Sequence, residues 1–195
     1  MNRALDLLIA GLALVVASPL LAICALAIKL ESRGPVFYRQ LRVGRDGRPF
    51  ELWKLRTMVV GAESQGAGLY IEHRDTRITR VGRLLRRFSL DELPNLFNVI
   101  AGDLAIVGPR PTVQVQVDRY TDHQRRRLEV RPGITGWAQI NGRTSLSWPE
   151  RIELDVWYVD HRSLSLDVRI LLRTVRMLVT GHGLYSSDLT QGWKD

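Results

Sequence analysis

The chain has 195 residues, 45% of them hydrophobic, which is enough for one domain with a sizeable core and too few for two large ones. Its formal charge of +8 comes from 28 basic residues, of which only Lys29, Lys54 and Lys194 are lysine; the positive charge is therefore carried by arginine, suited to planar, bidentate contact with phosphate or carboxylate. The partner implied is an anion, whether nucleic acid, an anionic membrane surface or a phosphorylated small molecule, whereas the single cysteine, Cys24, excludes an intrachain disulfide and a cysteine-based zinc site. His73, His123, His161 and His182 are too widely spaced for a metal-binding motif.

Leu7 to Ile28 is a charge-free run of 22 residues that, as a straight helix, reaches about 33 Å and just covers a bilayer core. A cleavable leader is suggested by Ala25-Leu26-Ala27, but the run is too long for one and Asp6 precedes it. Ser18-Pro19 near the middle removes a helical hydrogen bond and bends the axis. Arg3 lies on one flank and Lys29 and Arg33 on the other, so charge gives no sidedness. A spanning helix and a re-entrant one that enters and leaves by the same face both satisfy these residues.

Val36 to Gly44 reads as a strand, Arg45-Asp46-Gly47-Arg48 as a turn, and Pro49 to Met58 as a returning strand whose alternation places Lys54 and Arg56 on one face. Gly61 to Gly68 reads as a loop; Ser64 has no glycine two residues before it, so the nucleophile-elbow motif is absent. Arg83, Arg86 and Arg87 follow at helical spacing and lead into Ser89-Leu90-Asp91-Glu92-Leu93-Pro94-Asn95. Pro94 lacks an amide hydrogen and fits a first helical turn, which favours a cap near Leu90 or Asp91 over one at Ser89. The adjacent carboxylates Asp91 and Glu92 suit either a helix-dipole role or chemistry.

Leu104 to Val107 is a short apolar run ending in Pro109-Arg110-Pro111, a stiff turn able to hold one guanidinium in place. Val113 to Val130 reads as a polar helix, and Arg131 to Arg143 as a glycine-rich loop or bulged hairpin. Pro149 to Tyr158 reads as a helix carrying Glu153 and Asp155. In Asp167 to Thr180, Val168, Leu171, Leu172, Val175 and Leu178 share one helical face and Arg169, Arg173 and Arg176 another, a pattern that suits core packing or a membrane interface. Gly181 to Asp195 reads as a loosely ordered tail.

Taken together, Ser18-Pro19, SRGPVFYRQLRVGRDGRPFELWKLRTM, DTRITRVGRLLRRFSLDELPNLFNVIAGDLAIVGPRP, RPGITGWAQINGR and LDVWYVDHRSLSLD resemble the bacterial sugar transferase family, the monotopic phosphoglycosyl transferases, over almost the whole chain. The resemblance implies a mixed α/β (α+β), helix-rich fold. Residues 1–30 would form a re-entrant membrane helix broken at Ser18-Pro19, and residues 31–195 a catalytic domain with interfacial amphipathic helices on the cytoplasmic face of the bacterial inner membrane. It implies that Asp91 attacks the β-phosphorus of a UDP-sugar, that UMP leaves, and that polyprenyl phosphate then takes the phosphosugar, starting the assembly of a glycan. Glu92 would bind magnesium, Lys54, Arg56, Pro109, Arg110 and Pro111 would contact phosphates or the nucleotide, and Asp155 would add a polar contact.

The implied partners are the two substrates and inner-leaflet lipids, with a homo-oligomer left open and no nucleic acid. For that chemistry, Asp91 must be ionised, and nearby arginines should lower its pKa. A membrane-anchored scaffold without catalysis would account for the apolar segment but not for the Asp-Glu, Lys-Leu-Arg and Pro-Arg-Pro stretches. An arginine-rich nucleic-acid binder would leave the apolar segment without a role.

Overall fold

The computed structural model describes residues 2–64, 75–142 and 146–180. The uncharged run forms α1 (Arg3–Glu31), started by Asn2, whose side chain accepts a hydrogen bond from the Leu5 amide at 3.0 Å. In place of two segments separated at Ser18-Pro19, one helical element runs through the pair. Pro19 cannot donate to the carbonyl four residues earlier, that of Val15, and the Ser18 hydroxyl donates to this same oxygen at 2.8 Å. The serine replaces the lost bond, so the helix continues. By length and composition α1 is able to cross a membrane, and Leu8, Leu12, Val15, Val16, Ile23 and Leu26 are exposed along it.

Both ends of α1 are fastened to the rest of the chain. Strands β1 (Phe37–Val43) and β2 (Pro49–Leu55) form the expected antiparallel hairpin, Tyr38 facing Lys54 and Arg42 facing Phe50. Its turn uses Asp46 and Gly47, both at positive φ (56° and 77°), as a tight hairpin connection requires. Helix α2 (Arg80–Arg87) is capped by Thr79, and Glu31 at the end of α1 accepts from the Arg80 and Val81 amides. Gly82 of α2 is pressed onto the Thr57 backbone, where a Cβ would lie 2.0 Å from the Thr57 carbonyl oxygen. Helix α3 (Asn95–Ala101) follows the Asp-Glu stretch, and its last carbonyls, those of Val99 and Ile100, accept from Arg3.

A second sheet pairs β3 (Ala105–Val107) in parallel with β4 (Gly133–Thr135), so the glycine-rich segment after Arg131 is not a hairpin. Gly133 is needed there because a Cβ would fall 2.1 Å from the Gly108 amide nitrogen. The expected single helix over residues 113–130 is instead three short turns, α4 (Gln114–Val117), α5 (Asp122–Arg125) and a 3-10 turn at Arg126–Leu128. The capping box of Thr121 with Gln124 starts a new helix at α5, after buried Tyr120. The remaining helices are α6 (Trp137–Ile140), α7 (Trp148–His161), which opens with a Ser147–Glu150 capping box, and α8 (Leu164–Thr180).

The main core joins Ala10 of α1 with Phe50, Leu52, Leu96, Val99, Leu104, Ile106, Tyr158 and Ile170. A second cluster joins Cys24 and Ile28 of α1 with Leu55 and Leu85. The apolar membrane segment thus contributes side chains to two cores of the same folded unit. On α8 the core side is Leu166, Asp167 and Ile170, and four of the five apolar residues read as one face, Val168, Leu172, Val175 and Leu178, are exposed. The loop at residues 61–68 is only partly described, and the tail from Gly181 lies outside the described residues.

Gly82→Ala is expected to cost about 1–3 kcal/mol or more, because the obstacle to its methyl group is backbone and cannot rotate away. Thermal unfolding of the detergent-solubilised variant should show a lower Tm than wild type.

Candidate active site

Four pieces of chain bring the site together. Ser89 takes a left-handed conformation (φ 54°), rare for a residue with a Cβ, and turns the chain sharply out of α2. Leu90–Glu92 then form a single 3-10 turn, and buried Pro94 stands at the N-cap of α3. The expected cap near Leu90 or Asp91 is not found: both lie in the 3-10 turn, whose N-cap is Ser89 without a side-chain cap bond, and Pro94 itself is the N-cap of α3, where its missing amide hydrogen costs no helical bond. This tight turn projects Asp91 and Glu92 towards β2 and the Pro-Arg-Pro turn.

Glu92 is gripped from both directions. Lys54 Nζ of β2 donates to Oε1 at 3.2 Å, and Arg110 donates to Oε1 at 2.6 Å and to Oε2 at 3.4 Å. The carboxylate is only 21% exposed and Lys54 16%, while Arg110 remains 46% exposed. Burial works against the charge on Glu92, but Arg110 and Lys54 outweigh it and hold the carboxyl well below its ordinary 4.5. Asp91 behaves oppositely, and the expected lowering of its pKa is overturned. Burial and the adjacent Glu92 charge raise it, and Lys54, Arg86 and Arg110 only partly offset them.

Glu92, Lys54 and Arg110 line a cleft of about 280 Å³, including its open mouth, with Arg42, Leu52, Asn95 and Pro111 also in its wall; Asp91 stands next to Glu92 in the chain. Pro109 and Pro111 flank Arg110, and the Pro109 carbonyl accepts from the Gly133 amide at 2.8 Å, tying the turn to β4. Behind the turn lies a buried ion pair: Arg127 donates to Asp155 at 2.5 Å, to the Tyr120 hydroxyl at 2.5 Å and to the Arg110 carbonyl at 2.9 Å. Burial pushes the Asp155 carboxyl up to about 6 against the pull of Arg127, which leaves it ionised at neutral pH.

Of the residues singled out from the sequence, Asp91, Glu92, Lys54, Arg110 and the two prolines come together. Asp155 does not reach the cleft side of the turn; it reaches Arg110 through Arg127. Arg56 is drawn away altogether. Its guanidinium donates to the Ser32 carbonyl and hydroxyl and to the Arg33 carbonyl at 2.8–2.9 Å, clamping the end of α1. Ser18 and Pro19 lie in the middle of α1, with no contact to the cleft among the described residues. Arg42, Asn95 and Arg127 were not legible as site residues. Arg127 was hidden in a run of three arginines, although an aspartate among apolar partners, Asp155, signalled that some buried cation must face it.

The oxygen donors fit a magnesium ion of a particular kind. Among the described residues no three His, Cys, Asp or Glu side chains cluster as a metal site. Asn95 Oδ1, however, is buried in the cleft wall without a hydrogen-bond partner, beside Glu92. One carboxylate and one amide oxygen suit an ion that takes the rest of its shell from substrate phosphates and water.

A cleft in which Glu92, with Asp91 next to it, meets a lysine and a rigidly mounted arginine, in a chain with a helix able to enter a bilayer, suits the binding of a phosphorylated substrate near a membrane. The chain belongs to the bacterial sugar transferase family, whose model matches residues 1–181. It is 45% identical over 188 residues to the uncharacterised sugar transferase EpsL of Bacillus subtilis, covering 96% of this chain and 92% of that one. It is 42% identical over 192 residues to the UDP-glucose:undecaprenyl-phosphate glucose-1-phosphate transferase of Caulobacter vibrioides, covering 94% of this chain and 72% of that protein. A UDP-N-acetylgalactosamine-undecaprenyl-phosphate N-acetylgalactosaminephosphotransferase of Aeromonas hydrophila is also 42% identical, over 93% of this chain, which spans only 44% of that protein.

Asp155→Ala is expected to lower stability by about 3–5 kcal/mol, since it leaves Arg127 charged, buried and unpaired. Differential scanning fluorimetry would register this as a large fall in Tm, with Asp155→Asn falling less.

Proposed function

We propose that this chain transfers a phosphosugar from a UDP-sugar to polyprenyl phosphate, in two steps through Asp91, and so starts the assembly of a glycan. The observation that carries the reading is the raised, half-buried Asp91 carboxyl beside a Glu92 saturated by Lys54 and Arg110. The two acids have environments that separate their roles, one held as a fixed charge and the other left without an ion-pair partner within 4 Å among the described residues. The names of the Caulobacter and Aeromonas relatives support the substrates: a UDP-sugar donor and undecaprenyl phosphate.

In the first step an Asp91 oxygen attacks the β-phosphorus. The bond from that phosphorus to the bridging oxygen breaks, and the electron pair leaves on UMP. In the second, a phosphate oxygen of the lipid attacks the same phosphorus and the carboxylate is released. Desolvation of Asp91 favours attack because the anion has little hydration to shed. Lys54 and Arg110 offset the negative charge that gathers as carboxylate and diphosphate meet, and the two prolines keep Arg110 from having to reorganise. Magnesium, when held by Glu92 and Asn95 with substrate phosphates, would supply Lewis-acid polarisation of the diphosphate. A covalent intermediate lets one cleft serve a soluble donor and then a lipid.

The same reading has α1, one helical element bent at Pro19, enter and leave the inner membrane by its cytoplasmic face. It is supported by the anchoring of both ends to one folded unit: Arg3 and Asp6 bond to Val99, Ile100 and Ile106, while Glu31 and Ser32 bond to Arg80, Val81 and Arg56. Leu164, Val168, Leu172, Val175 and Leu178 on α8, with half-exposed Trp157 nearby in the chain, offer an apolar stripe flanked by arginines to the interface.

With a panel of UDP-sugars, magnesium and polyprenyl phosphate, the wild type should release UMP and form a lipid-linked product; absence of UMP release across the panel contradicts the reading. Asp91→Asn should reduce turnover by about three orders of magnitude or more. Since ionised Asp91 is disfavoured by folding, that variant should keep or raise the wild-type Tm at neutral pH. The acid limb of kcat/KM should lie above the ordinary aspartate value of 3.8, the rate falling as pH drops and Asp91 protonates. For topology, after Cys24→Ala, single cysteines placed at Asn2 and Arg33 should both label from the cytoplasmic side of inverted vesicles. Labelling from opposite sides would exclude the re-entrant arrangement.

A further inference from the structure

One arginine in the cleft has no carboxylate to answer it. Arg42, near the end of β1, sits in the cleft wall with Lys54, Glu92 and Arg110. Among the described residues its only side-chain hydrogen bond is from Nη2 to the neutral amide oxygen of Gln40 at 2.5 Å, and its Nε is buried without a partner there. No acid lies within 4 Å of it among the described residues. Burial and the neighbouring Arg110 charge bring its pKa down to about 10, the mark of a guanidinium held where another positive charge already stands. Arg42 is half-buried, and a partly desolvated cation without an ion-pair partner is free to take up an anion from outside the protein.

The placement is fixed by the fold. Arg42 and Lys54 lie on the same face of the hairpin, since their cross-strand partners Phe50 and Tyr38 alternate in register with them. The next residue, Val43, donates its amide to the Thr112 carbonyl at 2.8 Å, stitching the end of β1 to the turn that carries Arg110. Arg42 and Lys54 therefore reach one cleft from positions about 13 Å apart along the sheet, with the Glu92–Arg110 pair also in its wall. Glu92 already occupies Lys54 and Arg110, so Arg42 is the cation of this wall that carries no anion of the protein's own.

We propose that Arg42 binds a phosphate oxyanion of a substrate, through donors that the unliganded protein leaves unused. The inference rests on the phosphoglycosyl transfer reading above, which supplies two phosphate sources: the diphosphate of the soluble donor and the phosphate of the lipid acceptor. Arg42→Met keeps the length and the packing of the side chain and removes the charge, and Arg42→Lys restores the charge without the fork.

Three measurements on the full chain in nanodiscs test it: Tm without ligand, affinity for UDP with uridine as the control, and KM for each substrate. Removal of a half-buried cation without an ion-pair partner should leave the Tm of Arg42→Met unchanged or higher. Its affinity for UDP, or its KM for polyprenyl phosphate, should weaken by about 10- to 100-fold, with Arg42→Lys partly restored and uridine binding unaffected. Weaker UDP binding assigns the oxyanion to the donor, and a raised KM for the lipid alone assigns it to the acceptor. Wild-type values for both substrates, or a lowered Tm without ligand, would overturn the proposal. Failure of the wild type itself to release UMP would instead strike the reading on which it rests.

Discussion

Glu92 is a carboxylate buried to about four-fifths, and it remains charged because Lys54 reaches it from the hairpin and Arg110 from the turn that follows β3. Desolvating an acid to this degree is tolerable only with partners in good geometry, and once they are in place the cost of losing any one of them is high. That constraint propagates outwards. Lys54 must stay in register on the hairpin, Arg110 must stay on its turn, and the strained Ser89 must hold the 3-10 turn that presents Asp91 beside Glu92. The charge of Glu92 then reaches Asp91 and raises its pKa, so the fixed anion helps to set the reactivity of its neighbour.

The supports of the two cations lead to different parts of the molecule. Arg110 is backed by Arg127, which is neutralised by Asp155 of α7 and also held by Tyr120. The hairpin bearing Lys54 is continued by Arg56, whose guanidinium closes the end of α1. Helix α1 in turn fills two cores with Ala10 at one end and Cys24 and Ile28 at the other. The apolar helix is thus built into the catalytic unit, and the distance from membrane to site is set by side-chain packing rather than by a linker. Such coupling suits the proposed function, in which one cleft meets a soluble nucleotide and a lipid phosphate in turn.

Much of this was legible in the residues. The hairpin followed from alternation and Asp46-Gly47, a helix start close to Pro94 from its missing amide hydrogen, though about four residues too early, and the grouping of Asp91, Glu92, Lys54 and Arg110 from the family resemblance. What failed had physical causes. Strand alternation placed Arg56 beside Lys54, but the strand ends at Leu55, and beyond it the backbone turns the guanidinium towards the carbonyls at the end of α1. The expected lowering of the Asp91 pKa fails because burial and the adjacent Glu92 charge, neither of which shows in a count of nearby arginines, outweigh Lys54, Arg86 and Arg110. The polar stretch from Val113 looked like one helix because periodicity does not register a capping box that restarts the chain at Thr121. Arg42 and Asn95 gave no signal at all, since an unsatisfied atom is defined by what surrounds it in three dimensions.

The account turns on a phosphosugar held on Asp91 before the lipid arrives, and isotope exchange tests this without any acceptor. Incubated with a UDP-sugar that it accepts, magnesium and radiolabelled UMP, in the absence of polyprenyl phosphate, the wild-type protein should move label into the UDP-sugar, because reversal of the first step regenerates the donor. Asp91→Asn should give none. Full turnover in the presence of lipid, with no exchange in its absence, would contradict the covalent intermediate and favour direct transfer between the two substrates.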